Sequence, residues 1–241
     1  MDPLLSFVLD AHGGLDRWSG MRALTVQLSL GGPFWGMKGW PDVLSNETLD
    51  MDTRREHAVY TPFTAPDRSS GFDVDPERLT IQTTDGHILE RRVDPRASFV
   101  GYDRSTPWDA VQVADFSSYA TWNYLTEPFL FTYPGVQAHE IGPWQEEGQT
   151  WRRLHVTFPP SIATHNPEQV FYYDTEGMQR RMDYAPEVYG NHLAAHYTSD
   201  PKTFGGLVFP TRRRVYSRHP DGAADFSLAI ITSDVHDIEV R

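Results

Sequence analysis

Residues 169–174 read QVFYYD, residues 175–177 read TEG, and residues 178–185 read MQRRMDYA. Two aromatic-rich runs joined by a turn that ends in Gly177 are typical of a β-hairpin. Residues 193–199 return after a connection at residues 186–192, and Gly205-Gly206 leads into a further run at residues 207–216. Three hairpin links in a row predict an antiparallel meander. Such a wall of strands can enclose an apolar molecule.

The chain before the meander predicts a short amphipathic helix followed by more sheet. Apolar residues at helical spacing over residues 4–12 predict the helix, and Gly13-Gly14 ends it. Residues 22–30 alternate apolar and polar, which predicts a strand with one buried face. The return strand is expected to begin at residues 34–40, and residues 48–52 and 57–62 extend the sheet. Residues 62–76, rich in Pro, Ser, Asp and Gly, predict an exposed loop.

Asp85-Gly86 is the strongest two-residue turn signal in the chain. It predicts a hairpin of residues 79–84 and 87–93 in which Thr84 pairs with His87 and Gln82 with Leu89. Thr106-Pro107 then predicts the start of a helix, with Thr106 as the N-cap, that runs to Thr126 before Pro128. One apolar face of this helix is expected to pack on the sheet. Residues 151–158 and 226–240 predict the remaining strands.

These patterns predict one domain over residues 1–241, mainly β (α+β). We expect an incomplete antiparallel β-barrel, with an N-terminal helix and a central helix that covers its cavity. Aromatic residues make up 13% of the chain, including seven Trp. Planar side chains in that number indicate either a cavity lining or an aromatic-rich core, and the sequence leaves both open.

Composition argues against several classes of function. The formal net charge of −12 disfavours nucleic acid and anionic membrane surfaces as partners. The chain has no Cys, which excludes disulfides, a thiolate nucleophile and Cys-ligated metals. Residues 1–20 lack the pattern of a secretory signal, and no apolar run reaches the length of a transmembrane helix. We therefore expect a cytoplasmic protein that needs no cofactor, and its oligomeric state stays open.

Both ends of the chain resemble the lipoprotein-carrier (LolA-like) superfamily and its cytoplasmic bacterial relatives. The resemblance rests on residues 11–18 (AHGGLDRW) with 21–25 (MRALT), and on residues 173–178 (YDTEGM), 197–200 (YTSD) and 205–211 (GGLVFPT). It implies an incomplete antiparallel β-barrel closed by helices around an apolar cavity. It does not imply a lipoprotein-transport role here, because the chain shows no export signal and its middle region is dense in Trp, Tyr and His.

A histidine and a carboxylate on neighbouring strands are the main catalytic candidates. A hairpin centred on Tyr189-Gly190 places Asp183 opposite His196, and a carboxylate beside an imidazole favours general acid–base chemistry. In this register Tyr184 and Tyr197 lie on the other, more apolar face. Because the apolar face is the better cavity wall, this register favours Asp183 and His196 as an ordinary charge pair outside the cavity, and a slip of one residue exchanges the faces.

Other candidates are weaker. His192 and His196 are four residues apart, about 13 Å along a strand, so a shared metal ion is not expected. His165 lies in a Pro-rich loop that can present it at a rim, although ten His in the chain place some on loops by chance. Arg180-Arg181 and Arg212-Arg213-Arg214 lie in strands, so alternate members point inward. An inward Arg requires a carboxylate partner or an anionic ligand.

The resulting hypothesis is a cofactor-independent enzyme that binds an apolar or aromatic small molecule and performs His-assisted acid–base chemistry of the lyase, isomerase, hydratase or cyclase type. The competing hypotheses are a non-catalytic carrier or sensor of a hydrophobic ligand, and a purely structural interaction domain. The expected catalytic residues are His196, Asp183, His165 and Tyr184. The expected ligand-binding residues are Trp122, Tyr124, Tyr173, Tyr197, Arg180 and Phe116.

Overall fold

The computed structural model describes all 241 residues, which form four α-helices and fourteen strands. The helices are α1 (Pro3–Ala11), α2 (Leu15–Gly20), α3 (Pro33–Met37) and α4 (Ala110–Thr126). None of them combines the length and the hydropathy that a helix needs to span a membrane.

The strands are β1 (Ala23–Gly31), β2 (Glu47–Asp52), β3 (His57–Thr61), β4 (Arg68–Val74), β5 (Glu77–Thr83), β6 (Ile88–Val93), β7 (Gln137–Glu146), β8 (Gln149–Thr157), β9 (Glu168–Tyr173), β10 (Gln179–Tyr184), β11 (Ala194–Phe204), β12 (Leu207–Arg218), β13 (Ala224–Asp225) and β14 (Ile231–Val240). All belong to one antiparallel sheet in the order β6-β5-β4-β3-β2-β1-β14-β12-β11-β10-β9-β8-β7, with β13 paired to β12. The edge strands β6 and β7 do not pair, so the sheet is open. The expected mainly β fold, built on one open antiparallel sheet, is confirmed.

The sheet curves around α4. Tyr60 on β3 donates a hydrogen bond to Thr121 on α4 (2.8 Å), and Tyr184 on β10 lies 3.2 Å, hydroxyl to hydroxyl, from Tyr124 one helical turn later. Five strands separate β3 from β10, which corresponds to about 29 Å in a flat sheet. A helix is only about 10–12 Å across, so the sheet must bend for both contacts to form.

Helix α4 is buried on every side, which differs from the expected single packed face. Fifteen of its seventeen residues are buried, including Gln112, Asp115 and Asn123. Small and hydroxyl side chains allow this close packing, and Ser117 and Thr126 satisfy their hydroxyls by donating to the carbonyls of Val113 and Trp122 (2.8 Å each) within the helix. The helix therefore fills the concave side of the sheet.

Several sequence predictions are confirmed. Helix α1, strand β1 and the meander from β9 to β12 form where the patterns indicate. The hairpin at Asp85-Gly86 also forms, with the expected register from Arg78 to Ile81, and shifts by one residue at a bulge so that Gln82 pairs with Ile88.

Other predictions were wrong, in each case because a neighbouring element or a local cap decides the structure. The expected strand at residues 34–40 begins as helix α3, since Pro33 occupies its first position. The expected loop at residues 62–76 contains β4, which is held between β3 and β5. The N-cap of α4 is Asp109, in a capping box with Gln112, rather than Thr106.

Strand β7 was not predicted, because Pro143 interrupts its pattern. The structure tolerates this proline because β7 is an edge strand and its pairing with β8 is irregular between Ile141 and Trp144. The last strand begins at Ile231 rather than at residue 226. In the preceding segment, residues 219–230, Gly222 and Phe226 contact Arg181 and Tyr197 on the outer face of the sheet.

Candidate functional site

The candidate site lies between α4 and the wall formed by β11, β12 and β14. Two adjoining spaces there share Phe116, Val215 and Ile231, and we call the two together the inner crevice. Each space has a cavity volume of about 20 Å³, which is room for about one water molecule. The crevice is therefore narrow in this conformation.

One end of the inner crevice is apolar. Phe34, Tyr189 and Ile230 line it together with the shared residues. Tyr189 belongs to the connection between β10 and β11, a loop over residues 186–193 that includes a short 3₁₀ turn. Side-chain bonds from Arg96 to Glu187 (2.8 Å) and from Arg104 to the Tyr189 hydroxyl (3.1 Å) hold this loop over the crevice.

A chain of tyrosine and histidine side chains leads through the core to the other end. The Tyr119 hydroxyl lies 3.2 Å from His165 Nδ1, and His165 Nε2 lies 2.6 Å from the Tyr124 hydroxyl. The Tyr124 and Tyr184 hydroxyls are 3.2 Å apart, and Tyr184 lies 3.3 Å from His196 Nδ1. His196 lines the crevice, and its Nε2 is buried without a hydrogen-bond partner.

Arg213 lies beside His196 at this polar end. It is central in β12, is 3% exposed, and donates from Nη2 to the Tyr124 carbonyl (2.7 Å). Its Nη1 has no hydrogen-bond partner and no carboxylate lies within 4.0 Å of it as an ion pair. Burial lowers the pKa of Arg213, while the nearby Glu127 opposes that change.

Both histidines are neutral near pH 7. Burial, with a smaller effect from Arg96, lowers the pKa of His165 to about 3. Burial also holds the pKa of His196 well below its usual value, and Arg213 and His165 add to the effect. A general base works best when its pKa lies near the working pH, so neither imidazole is tuned for proton transfer at neutral pH.

The expected Asp183–His196 pair does not form. His196 lies opposite Met182, and Asp183 lies opposite Ala195, one residue away from the predicted register. This shift places His196 and Tyr184 on the inner face, and Asp183 and Tyr197 on the outer face of the sheet. The connection between the strands contains a 3₁₀ turn and an αL glycine, Gly190, instead of a symmetric hairpin turn, and this geometry sets the register.

On the outer face Asp183 belongs to a structural ion-pair cluster. It accepts from Arg181 Nε (2.6 Å) and from the Tyr172 hydroxyl (2.7 Å). Arg181 also pairs with Glu146 (2.8 Å) and donates to the Gly222 carbonyl (2.6 Å) of the segment at residues 219–230. Tyr197 donates to Glu146 in the same cluster. Asp183 and Tyr197 therefore hold the outer segment and do not reach the crevice.

The remaining expected residues are distributed between the crevice, the core and the surface. Phe116 and Tyr124 line the crevice. Trp122 is core, with its indole donating to the Asp52 carbonyl (2.7 Å), and Tyr173 is core with an unpaired hydroxyl. Arg180 pairs with Asp174 (2.6 Å) at the hairpin turn.

His165 is 1% exposed, so its expected position at a rim is wrong. Its loop turns inward because three backbone groups are tied to side chains of other elements. Ala163 donates its N–H to the Glu56 carboxylate (2.8 Å), and the Thr164 and His165 carbonyls accept from Arg96 (2.9 and 3.4 Å).

Sequence reasoning missed Tyr119 and Glu127, which approach the site only through the packing of α4. It singled out the Arg212-Arg213-Arg214 run, in which strand alternation separates Arg213 from its two neighbours, and the structure shows that Arg213 is the buried, inward member. No group of three or more His, Asp or Glu side chains is placed to hold a metal ion.

Comparisons with known proteins identify structural neighbours only. No family model and no curated protein matches the chain. Among solved structures, the chain is similar to a DUF1329 family protein from Desulfovibrio piger, with 10% identity and a TM-score of 0.45 over 100% of this chain and 94% of that one. A putative outer membrane lipoprotein-sorting protein domain from Vibrio parahaemolyticus has 10% identity and a TM-score of 0.46 over 98% and 92%.

A LolA superfamily protein from Nitrosomonas europaea has 9% identity and a TM-score of 0.41, over 94% of this chain and 91% of that one. The superfamily that the sequence resembles is therefore represented among the structural neighbours. At these TM-scores the likeness carries no argument about ligand or activity.

Replacing Asp183 with Asn tests its structural role. The substitution leaves Arg181, which is fully buried, with one carboxylate fewer, so we expect a loss of about 3 kcal/mol in the free energy of unfolding measured in urea. The control is Asp234→Asn, which removes the 40% exposed partner of Arg214 and is expected to cost less than about 1 kcal/mol. Equal costs would contradict the assignment of Asp183 to a buried cluster.

Replacing Glu127 with Gln tests the charge balance near Arg213. Burial raises the pKa of Glu127 from 4.5 to about 7, so the folded state keeps a proton that the unfolded state loses. The contribution of this retained proton to the free energy of unfolding is complete below pH 4.5. Between pH 4.5 and about 7 it decreases by about 1 kcal/mol per pH unit. Glu127→Gln should abolish this loss.

The measurement is the difference in unfolding free energy between wild type and Glu127→Gln across this pH range. The same substitution at the exposed Glu239 controls for the general effect of removing one negative charge. If the difference in unfolding free energy between wild type and Glu127→Gln does not change with pH, Glu127 is not protonated in the folded state.

Proposed function

We propose that this protein binds a small apolar or aromatic molecule in the inner crevice and carries or senses it without transforming it. The supporting observation is the composition of the crevice. Aromatic and aliphatic side chains such as Phe34, Phe116 and Ile230 form one end, and His196 and Arg213 offer free donors at the other. Apolar walls with a few convergent polar groups are the usual composition of a small-molecule site.

Ligand entry requires the crevice to widen, because its cavity volume is far below that of a drug-sized molecule. The loop at residues 186–193 is the element we expect to move. Side-chain bonds from Arg96, Arg104 and Ser217 and a backbone hydrogen bond near each end attach this loop, whereas β11 and β12 are fixed by strand pairing along both edges. Outward movement of this loop lengthens the apolar end and leaves the polar end unchanged.

Two features favour a carrier over the acid–base enzyme. The carboxylate expected to assist His196 lies on the opposite face of the sheet. Burial also keeps His165 and His196 neutral at pKa values far below neutrality, where they are weak bases. The lack of nucleic-acid and membrane partners and the cytoplasmic location stay predictions from the sequence.

Filling the crevice tests the proposed binding site. The probe is N-phenylnaphthylamine, a neutral fluorophore whose emission rises in apolar surroundings. Val215→Phe should weaken its binding by about tenfold or more, because Val215 borders both spaces and a larger ring occupies them. Val208→Phe, on the opposite face of the same strand, is the matched control and should leave binding unchanged. Equal binding by all three proteins would exclude the inner crevice as the site.

A second measurement separates carriage from catalysis. Compounds that displace the fluorophore are incubated with the protein, extracted and compared with untreated samples by NMR as well as mass spectrometry, because an isomerisation leaves the mass unchanged. We expect them to be recovered unchanged. Conversion of a bound compound, lost in His165→Phe while binding persists, would establish the acid–base hypothesis instead.

A further inference from the structure

The hydrogen-bond chain that ends at His196 fixes which of its nitrogens carries the proton. Tyr119 is buried and His165 is its only hydrogen-bond partner, so the Tyr119 hydroxyl is satisfied as a donor only if it donates to His165 Nδ1. A neutral imidazole has one N–H, which then lies on Nε2 and donates to the Tyr124 oxygen. Tyr124 donates onward to Tyr184, and Tyr184 to His196 Nδ1.

The consequence is that His196 carries its proton on Nε2. If each of these hydrogen bonds ran in the opposite direction, the buried Tyr119 hydroxyl proton would have no acceptor, which is the less favourable arrangement. The Nε2–H group of His196 is thus a donor at the polar end of the inner crevice, and nothing in the protein accepts from it.

Arg213 places a second free donor, and a positive charge, at the same end. The contrast with Arg181, the other arginine that is almost fully buried, is informative. Arg181 pairs with Asp183 and Glu146, as a buried guanidinium requires, whereas Arg213 has no carboxylate within ion-pair distance. Glu127, the acid that affects Arg213 most strongly, is itself largely protonated below neutral pH because burial raises its pKa to about 7.

We propose that the ligand of the inner crevice ends in a compact anionic oxygen group, of which a carboxylate is the simplest, that accepts from both His196 Nε2–H and Arg213 Nη1. This inference rests on the proposed binding function and specifies its ligand class. A single positive charge fits a carboxylate better than a doubly charged phosphate. The apolar part of the ligand extends along Phe116 and Val215 toward Phe34 and Tyr189.

The test uses octanoate, octanol and octylamine, which share one alkyl chain and differ in the end group. Each is titrated against N-phenylnaphthylamine bound to the wild-type protein at about pH 6, where a carboxylic acid is ionised and Glu127 is still largely protonated. We expect octanoate to displace the fluorophore at a concentration at least about tenfold lower than octanol does, and octylamine to be the weakest, because a charge-assisted bond replaces a neutral one.

Variants then assign the effect to the two donors. Arg213→Gln should weaken octanoate by about tenfold and leave octanol within about twofold, since only the anion uses the guanidinium charge. Arg212→Gln, the exposed neighbour on the other face of β12, is the matched control and should change neither. His196→Phe keeps the aromatic ring and removes the donor, and should weaken octanoate by a smaller factor.

Two outcomes overturn the proposal. The first is equal displacement by octanoate and octanol in the wild type. This result needs no variant and therefore holds even if Arg213→Gln fails to fold. The second is a preference for octanoate over octanol that persists in Arg213→Gln, because the anion is then bound elsewhere. Neither result touches the proposed binding function, which fails separately if Val215→Phe binds the fluorophore as well as the wild type does.

Discussion

The structure depends on the contact between one sheet and one helix. Helix α4 is hydrogen-bonded to β3 on one side and to β10 on the other, and these two contacts require the sheet to bend around it. The helix can occupy this position because its sequence alternates small and hydroxyl residues with large aromatic ones, so that backbone and sheet approach closely. Removing the helix would leave the concave face of the sheet exposed, and the curvature would have nothing to enclose.

The same contact explains why the interior is polar as well as apolar. A helix buried on all sides brings Gln112, Asp115 and Asn123 into the core, where each needs a partner or remains unsatisfied. At the polar end of the inner crevice, the hydroxyls of Tyr124 and Tyr184 are satisfied by one another and by histidine. His196 Nε2 and Arg213 Nη1 are left without partners, and both residues line the same crevice.

Much of the fold follows from local pattern. Strand β1, helix α1, the hairpin at Asp85-Gly86 and the meander from β9 to β12 were all predictable from period and turn chemistry. The failures lie where a local signal is weak or is overruled by neighbours. Strand β4 is rich in Ser, Gly and Asp and exists because β3 and β5 flank it, whereas α3 begins at a proline that a strand pattern overlooks.

The sequence by itself determined that this chain forms an antiparallel sheet, that Tyr, His and Arg lie on its strands, and that alternate members of Arg212, Arg213 and Arg214 lie on opposite faces. Only the tertiary structure decided which side chains meet. The connection between β10 and β11 shifts the register by one residue, and since side chains alternate along a strand, this shift puts Asp183 and His196 on opposite faces of the sheet. The pairing of β11 with β12 then brings His196 beside Arg213. A sequence pattern fixes alternation, but the register is set by turn geometry and by what each face packs against.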